Sequence, residues 1–190
     1  WKRFSNYGFA AKDACAALVV QELAQAMLHM PIAFLASADA YVPVAVQGLA
    51  LGQNLFVNHD GRWLGSYVPM VYRCHPFAYA ETTPGQQVLC FDEDSGLLSP
   101  TEGESFFDAD GKPSTAVSEV MGFLGQMTAG RQQTQRICAL LQKHNLFEPW
   151  PIKIVGEHGE QALAGLYRIN EAAMNKLPAD AFIELRDAGA

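Results

Sequence analysis

Cys74 stands between Arg73 and His75, so a thiol lies directly beside a cation and a base. A cysteine acts as a nucleophile when a neighbouring base or positive charge lowers its pKa. The triplet is therefore the chain's candidate for nucleophilic catalysis. A small buried cysteine beside Pro76 would leave the same sequence, and we favour that structural interpretation. No G-x-S-x-G, G-x-G-x-x-G or G-x-x-x-x-G-K-[ST] pattern occurs, so a serine elbow or a phosphate-binding loop is not indicated, and no cofactor is expected.

Imidazole, thiolate and carboxylate groups in the same region raise the alternative of a metal-dependent enzyme. Its ligands would be His59 and His75 with Cys90 or Asp92. Cys74 is a weaker choice, because adjacent residues on a strand point to opposite faces. Cys90 and Asp92 would share a face if residues 88–92 form a strand. The spacing matches no established metal motif, so we expect the protein to bind no metal.

Glu22 and His29 form a second carboxylate–imidazole pair. Seven residues apart on a helix, they would share one face and could divide acid–base work. The simpler interpretation is two partly exposed polar residues at a helix edge. Residues 108–111, Asp-Ala-Asp-Gly, superficially resemble a calcium loop, but they lack the further ligands and closing glutamate of an EF-hand.

Arginine and aromatic residues are dense around one turn of the chain. Trp, Tyr and Arg anchor many interfaces, because they combine a large contact area with a polar group. The candidate ligand-binding residues are Arg62, Trp63, Tyr67, Arg73 and His75. The alternative is that Trp63 and Tyr67 belong to the core and that Arg73 forms a salt bridge.

The elements that must position these residues begin with a helix predicted over 13–30. Asp13 is its candidate N-cap, and Pro31 ends it. Short strands are expected next, and Asn58-His59-Asp60-Gly61 is expected to form a turn between two of them. The predicted strands are Ile32–Ala36, Val42–Leu51, Leu55–Asn58, Tyr67–Arg73, Phe77–Glu81 and Val88–Asp92.

The longest apolar periodicity predicts a helix over 115–143, with Ser114 as N-cap and Asn145 at its end. Gly130 could divide it or allow close packing. Strands at 152–155 and 162–169 are expected to form a hairpin around 156–160, followed by short helices from Asn170 and Asp180. This grouping predicts an α+β fold, a mainly antiparallel sheet packed with one long and several shorter helices.

Composition narrows the class of protein. The chain has 190 residues, enough for one domain, and a formal net charge of -7 without a basic stripe, which disfavours nucleic acid as a partner. No run of 18 apolar residues occurs, so membrane insertion is not expected. Four widely spaced cysteines without a C-x-x-C pair are typical of reduced, buried thiols. We therefore expect a cytoplasmic protein, with association with the cell envelope as the alternative.

Several short motifs resemble one bacterial family in their order and spacing. They include Glu22-Leu23 followed by Met30-Pro31-Ile32-Ala33-Phe34, Asn54-Leu55-Phe56-Val57 followed by Asp60-Gly61 and Trp63, Tyr67-Val68-Pro69, Arg73-Cys74-His75-Pro76-Phe77, Phe106-Phe107-Asp108-Ala109-Asp110-Gly111 and Gly165-Leu166-Tyr167-Arg168-Ile169-Asn170. Together they resemble the SapC family, named after a bacterial surface-layer protein transport locus. Met30 stands where the family more often has an aromatic residue.

The resemblance implies a single SapC-like domain over residues 1–190, to which the family usually adds a short C-terminal continuation. It also implies a role around surface-layer or envelope protein export, without naming a reaction. Our first hypothesis is a non-catalytic accessory protein that binds a protein or peptide partner. The alternatives are the metal-dependent enzyme and a structural subunit of an assembly, and the oligomeric state is left open.

Overall fold

A computed structural model describes residues 1–38, 40–83, 85–156 and 159–190, and it has the predicted α+β architecture. In chain order the strands are β1 Cys15–Ala17, β2 Ile32–Ser37, β3 Ala40–Val46, β4 Phe77–Thr83, β5 Gln86–Phe91, β6 Phe147–Pro149, β7 Ile152–Gly156, β8 Gly159–Leu163 and β9 Leu166–Ile169. The helices are α1 Val20–Ala26, α2 Met70–Arg73, α3 Thr115–Lys143, α4 Glu171–Met174 and α5 Ala179–Ala188.

The main sheet has five antiparallel strands in the order β1-β3-β2-β9-β6. Its register pairs Cys15 with Val46 and Phe34 with Tyr167, so the first and last parts of the chain meet in one sheet. β4 pairs with β5, and β7 with β8, in two separate hairpins. The strands of the predicted 152–169 hairpin are present, although residues 157 and 158 of its turn lie outside the described residues.

The helix α3 begins and ends as predicted. The Ser114 hydroxyl accepts the Val117 N–H at 3.3 Å, and Asn145 takes a left-handed conformation with φ 53° just past the end. Gly130 does not divide the helix. A Cβ at Gly130 would lie 3.2 Å from the Val19 Cβ, so this glycine lets α3 approach the start of α1 closely.

The helix predicted over 13–30 is wrong at both ends, since it begins later than predicted and stops before residues 27–30 rather than at Pro31. Residues 15–17 form β1 instead, because their backbone groups pair with β3, and the helix covers only Val20–Ala26. Asp13 therefore caps no helix. Local periodicity indicated a helix, but the sheet offers backbone partners that no local pattern reveals.

Two strand predictions around the candidate site are also wrong. Residues 70–73 form the short helix α2 rather than the end of a strand, since Pro69 introduces a turn. Leu55–Asn58 forms no strand beyond a single bridge between Val57 and Trp63. The predicted strand 42–51 ends at Val46, and 162–169 divides into β8 and β9. The strand β6 was not predicted.

The buried side chains form four apolar clusters, and α3 contributes directly to two of them. Leu124 and Met127 pack with Phe77 in one cluster. Ile137 and Leu141 pack with Leu185 of α5 and with Leu146, next to β6, in another. The candidate site lies on a third cluster, built from Leu18, Met30, Tyr72 and their neighbours. Among the described residues, no helix is long and apolar enough to cross a bilayer.

Candidate functional site

The predicted turn at 58–61 orients the first candidate residues. Gly61 adopts φ 79°, and its N–H donates to the Asn58 carbonyl oxygen at 2.9 Å. The Asn58 side-chain oxygen also accepts the Arg62 N–H at 2.7 Å. The turn is thus closed by its own side chain, and the Arg62 side chain extends into solvent.

Trp63 is a half-buried packing residue. Its indole Nε1 donates to the Tyr67 carbonyl oxygen at 2.8 Å, and its ring stacks on Phe56 with a centroid distance of 5.7 Å. Tyr7 and Tyr72 contact it from other sides. Trp63 therefore packs against the chain and holds the backbone at Tyr67. This agrees with the alternative interpretation of Trp63 as a core residue.

Tyr67 is anchored by a buried carboxylate. Its hydroxyl donates to Glu22 Oε2 at 2.7 Å, and the Met70 N–H donates to the same oxygen at 2.8 Å. Glu22 Oε1 accepts the Val19 N–H at 3.0 Å, and the residue is only 4% exposed. Burial and the Glu22 carboxylate raise the Tyr67 pKa well above its ordinary value. Glu22 thereby joins α1 to the segment that leads into α2.

Arg73 is exposed but held in place. Its Nε and Nη2 atoms donate to the Val68 carbonyl oxygen at 3.1 and 2.8 Å, and its guanidinium carbon lies 5.2 Å from the centroid of the Tyr67 ring. The salt bridge considered for Arg73 is not formed: no carboxylate of the described ranges lies at ion-pair distance from it. The site therefore presents an ordered, uncompensated cation.

His75 continues the surface beyond Arg73. Its ring stacks on Phe9 at a centroid distance of 3.8 Å, and Phe4 lies edge-on at 5.9 Å. Burial lowers the His75 pKa, and the nearby Asp92 carboxylate opposes that effect. Arg73, His75 and Phe4 line one shallow cleft of about 220 Å³. At the far end, the exposed His29 ring lies parallel to Tyr67 with centroids 6.2 Å apart.

The structure thus brings three of the five candidate residues into one continuous row. We name it the aromatic–arginine strip, and it consists of His29, Tyr67, Arg73, His75 and Phe9. Trp63 packs behind Tyr67, and within the described residues no hydrogen bond or ion pair joins the Arg62 side chain to the strip. Exposed apolar side chains adjoin the His29 end, where Met27 and Leu28 are 66% and 70% exposed.

The residues considered for metal binding do not converge. No group of three or more histidine, cysteine, aspartate or glutamate side chains in the described ranges could hold a metal ion together. His59 is exposed and pairs with Asp60 at 3.0 Å, and His75 stacks on Phe9. Cys90 is an exposed residue of β5. Asp92 follows that strand and lies near His75, but no third ligand of the described residues joins that pair.

Neither acid–base nor nucleophile hypothesis finds support in the geometry. Cys74 is buried, and burial raises its thiol pKa to about 11, so it is protonated at neutral pH. Arg131, rather than Arg73, is the cation that opposes this shift. His29 lies beyond the end of α1, so the shared helical face expected for Glu22 and His29 does not exist. Glu22 is buried, not at a partly exposed edge.

Sequence reasoning assigned Glu22 the wrong role and did not point to Phe9. Glu22 was singled out for acid–base work, but its structural partners lie 45 and 48 residues away. Phe9 belongs to an N-terminal segment whose aromatic residues, Phe4, Tyr7 and Phe9, pack on the candidate region. The spacing of these rings was the available signal.

Tyr67, Arg73 and His75 lie in motifs that carried the family resemblance. The family model SapC matches residues 1–190. Comparisons with curated proteins and with solved structures gave no match. The match runs over the whole sequence and includes Glu22, Tyr67 and Arg73. The chain therefore belongs to the SapC family.

Proposed function

We propose that the chain is a non-catalytic accessory protein that binds a polypeptide through the aromatic–arginine strip. The observation that carries the proposal is Arg73, an exposed guanidinium held over Tyr67 without a carboxylate partner in the described part of the chain. A cation that is already ordered loses less side-chain entropy on binding. Arginine also pairs with carboxylates through two parallel hydrogen bonds.

The surroundings of Arg73 indicate which polypeptide would fit. Met27 and Leu28 supply exposed apolar area at the His29 end, and the cleft beside His75 can accept a side chain. The partner segment would carry an aspartate or glutamate next to bulky apolar residues. Tyrosine and arginine are the residue types that dominate many interfaces energetically.

The family supports a partner from surface-layer or envelope protein export. In this proposal the chain works in the cytoplasm or at the cell envelope, where such a substrate is met before or during export. The fixed strip would recognise an extended segment of the exported polypeptide. No step of this proposal requires a chemical reaction at the site.

The test is selection from a displayed peptide library, followed by affinity measurements with variants. Selected peptides should be enriched in acidic residues beside apolar ones. Arg73→Gln should weaken their binding by about tenfold, because a charge-assisted hydrogen bond is lost. Leu28→Ser should weaken it by a smaller factor through the loss of apolar contact.

Two matched variants serve as controls. Arg136→Gln removes another exposed arginine, and Leu51→Ser removes a leucine that is 98% exposed outside the strip. Both should keep the affinity of the unaltered chain. Selected peptides that bind Arg73→Gln and Leu28→Ser as tightly as the controls would refute the proposal. Trp63→Ala is a poor probe, since losing a packed tryptophan costs about 3–5 kcal/mol of stability.

A further inference from the structure

A second cleft lies between the main sheet and α3, and Arg73 does not line it. It has a volume of about 170 Å³, and its walls are apolar, formed by Leu18, Val42, Pro43 and Met127. This volume is below the roughly 300–1,000 Å³ of sites for drug-sized ligands, so a small ligand would fit. We name it the Arg131 cleft, after the cation at its rim.

The polar groups of the Arg131 cleft differ in whether they already have partners. Glu22 accepts three hydrogen bonds. The Thr134 hydroxyl accepts the Val20 N–H at 2.8 Å and donates to the Gly130 carbonyl oxygen at 2.7 Å. Arg131 is exposed, and no carboxylate of the described residues lies at ion-pair distance from it. The Glu22 charge is therefore stabilised by three hydrogen-bond donors, whereas the Arg131 guanidinium has no ion-pair partner among the described residues.

We propose that the Arg131 cleft binds a small apolar carboxylate. The carboxylate would pair with the Arg131 guanidinium, and the hydrocarbon part would lie between Leu18, Val42 and Met127. An apolar pocket with one well-placed charged group is the common design of small-ligand sites. The proposal does not depend on polypeptide binding by the aromatic–arginine strip, because it uses a different cation. Glu22 is shared, since it lines this cleft and also anchors Tyr67.

The opposite charge on the ligand is disfavoured. A cationic ligand would meet the Arg131 guanidinium at the rim, and Glu22 is already engaged by three donors. A neutral ligand would fill the apolar walls but would leave the guanidinium paired with water. Charge-assisted hydrogen bonds are about twice as strong as neutral ones, so the acid should be selected.

The experiment is a ¹⁵N–¹H NMR titration of the whole chain with hexanoate and, separately, with hexanamide at the same ionic strength. Hexanoate should shift the amide signals of Leu18, Val42 and Thr134, with at least about tenfold higher affinity than hexanamide. Arg131→Gln should abolish most of that preference. Ala17→Leu, which places a larger side chain at the cleft, should weaken both ligands.

Arg136→Gln is the matched control, because Arg136 is another exposed arginine of α3 and does not line the cleft. It should bind hexanoate as the unaltered chain does. The proposal is overturned if hexanoate does not bind, if hexanamide binds equally well, or if Arg131→Gln and Arg136→Gln have equal effects.

A final comparison identifies the source of the carboxylate. Short peptides that end in leucine are titrated with a free or an amidated C-terminus. Preferential binding of the free terminus supports the site and assigns it to polypeptide ends. Binding of hexanoate without either peptide also supports the site and assigns it to free small acids.

Discussion

Replacing Glu22 should test whether one buried carboxylate holds the candidate site together. Glu22→Ala removes the acceptor for the Val19 N–H, the Met70 N–H and the Tyr67 hydroxyl. Three donors lose their partner and a cavity forms, so we expect a loss of about 3–5 kcal/mol in the free energy of unfolding. For a chain of this size, that corresponds to a fall in Tm of roughly 6–20 °C.

Glu22→Gln gives a finer measurement at the same position. Its amide oxygen can replace only one carboxylate oxygen, so its NH₂ group faces a donor. The expected loss is about 1–3 kcal/mol, smaller than for alanine. Gln25→Ala is the matched control, because Gln25 is an exposed residue of the same helix, and its effect should stay within about 0.5 kcal/mol.

Urea unfolding of Glu22→Ala, Tyr67→Phe and the double variant completes the test. The two side chains share a hydrogen bond to a charged acceptor, so the cycle should give a coupling of about 1.5–3 kcal/mol. Additive effects, or a Glu22→Ala variant as stable as Gln25→Ala, would refute the role assigned to Glu22.

Three further predictions concern packing, thiols and pH. Gly125→Ala should raise stability by up to about 1 kcal/mol, because nothing lies within 4 Å of the added methyl, whereas Gly130→Ala should give no gain in thermal unfolding. Ellman's reagent at pH 8 should label exposed Cys90 first and buried Cys138, whose pKa burial raises to about 11, only on unfolding; equal rates would contradict this. Because the Tyr67 pKa is higher in the folded than in the unfolded chain, its contribution to stability is complete below the unfolded-state pKa near 10 and is lost as the pH rises above that value. The midpoint of urea unfolding should therefore fall less steeply at alkaline pH in Tyr67→Phe than in the unaltered chain.

The parts of the fold that could be predicted are those with local causes. The helix α3 was predicted residue for residue, because its cap, its apolar stripe and its terminating Asn145 all lie within the segment. The turn at 58–61 was predicted for the same reason. Its glycine and its asparagine side chain close it without help from the rest of the chain.

The errors arise where distant groups decide the structure. Residues 15–17 have helical periodicity, yet they pair with β3 about thirty residues away. The segment 67–73 has the composition of a strand, yet Pro69 and the carboxylate of Glu22 favour a turn of helix there. At the candidate site the types of Tyr67, Arg73 and His75 indicated a surface, but only the fold shows that Trp63 lies beneath it.

The order of strands in the main sheet has a consequence for the chain during synthesis. β2 pairs on one side with β3, its neighbour in sequence, and on the other with β9, which begins about 130 residues later. The ribosome therefore releases β1, β2 and β3 long before it has made β9, the strand that pairs with the other edge of β2. Unpaired strand edges readily accept other chains. Over most of its translation, a nascent chain of this protein therefore lacks the partner strand for one edge of Ile32–Ser37, and we expect that edge to be the place where it meets other chains.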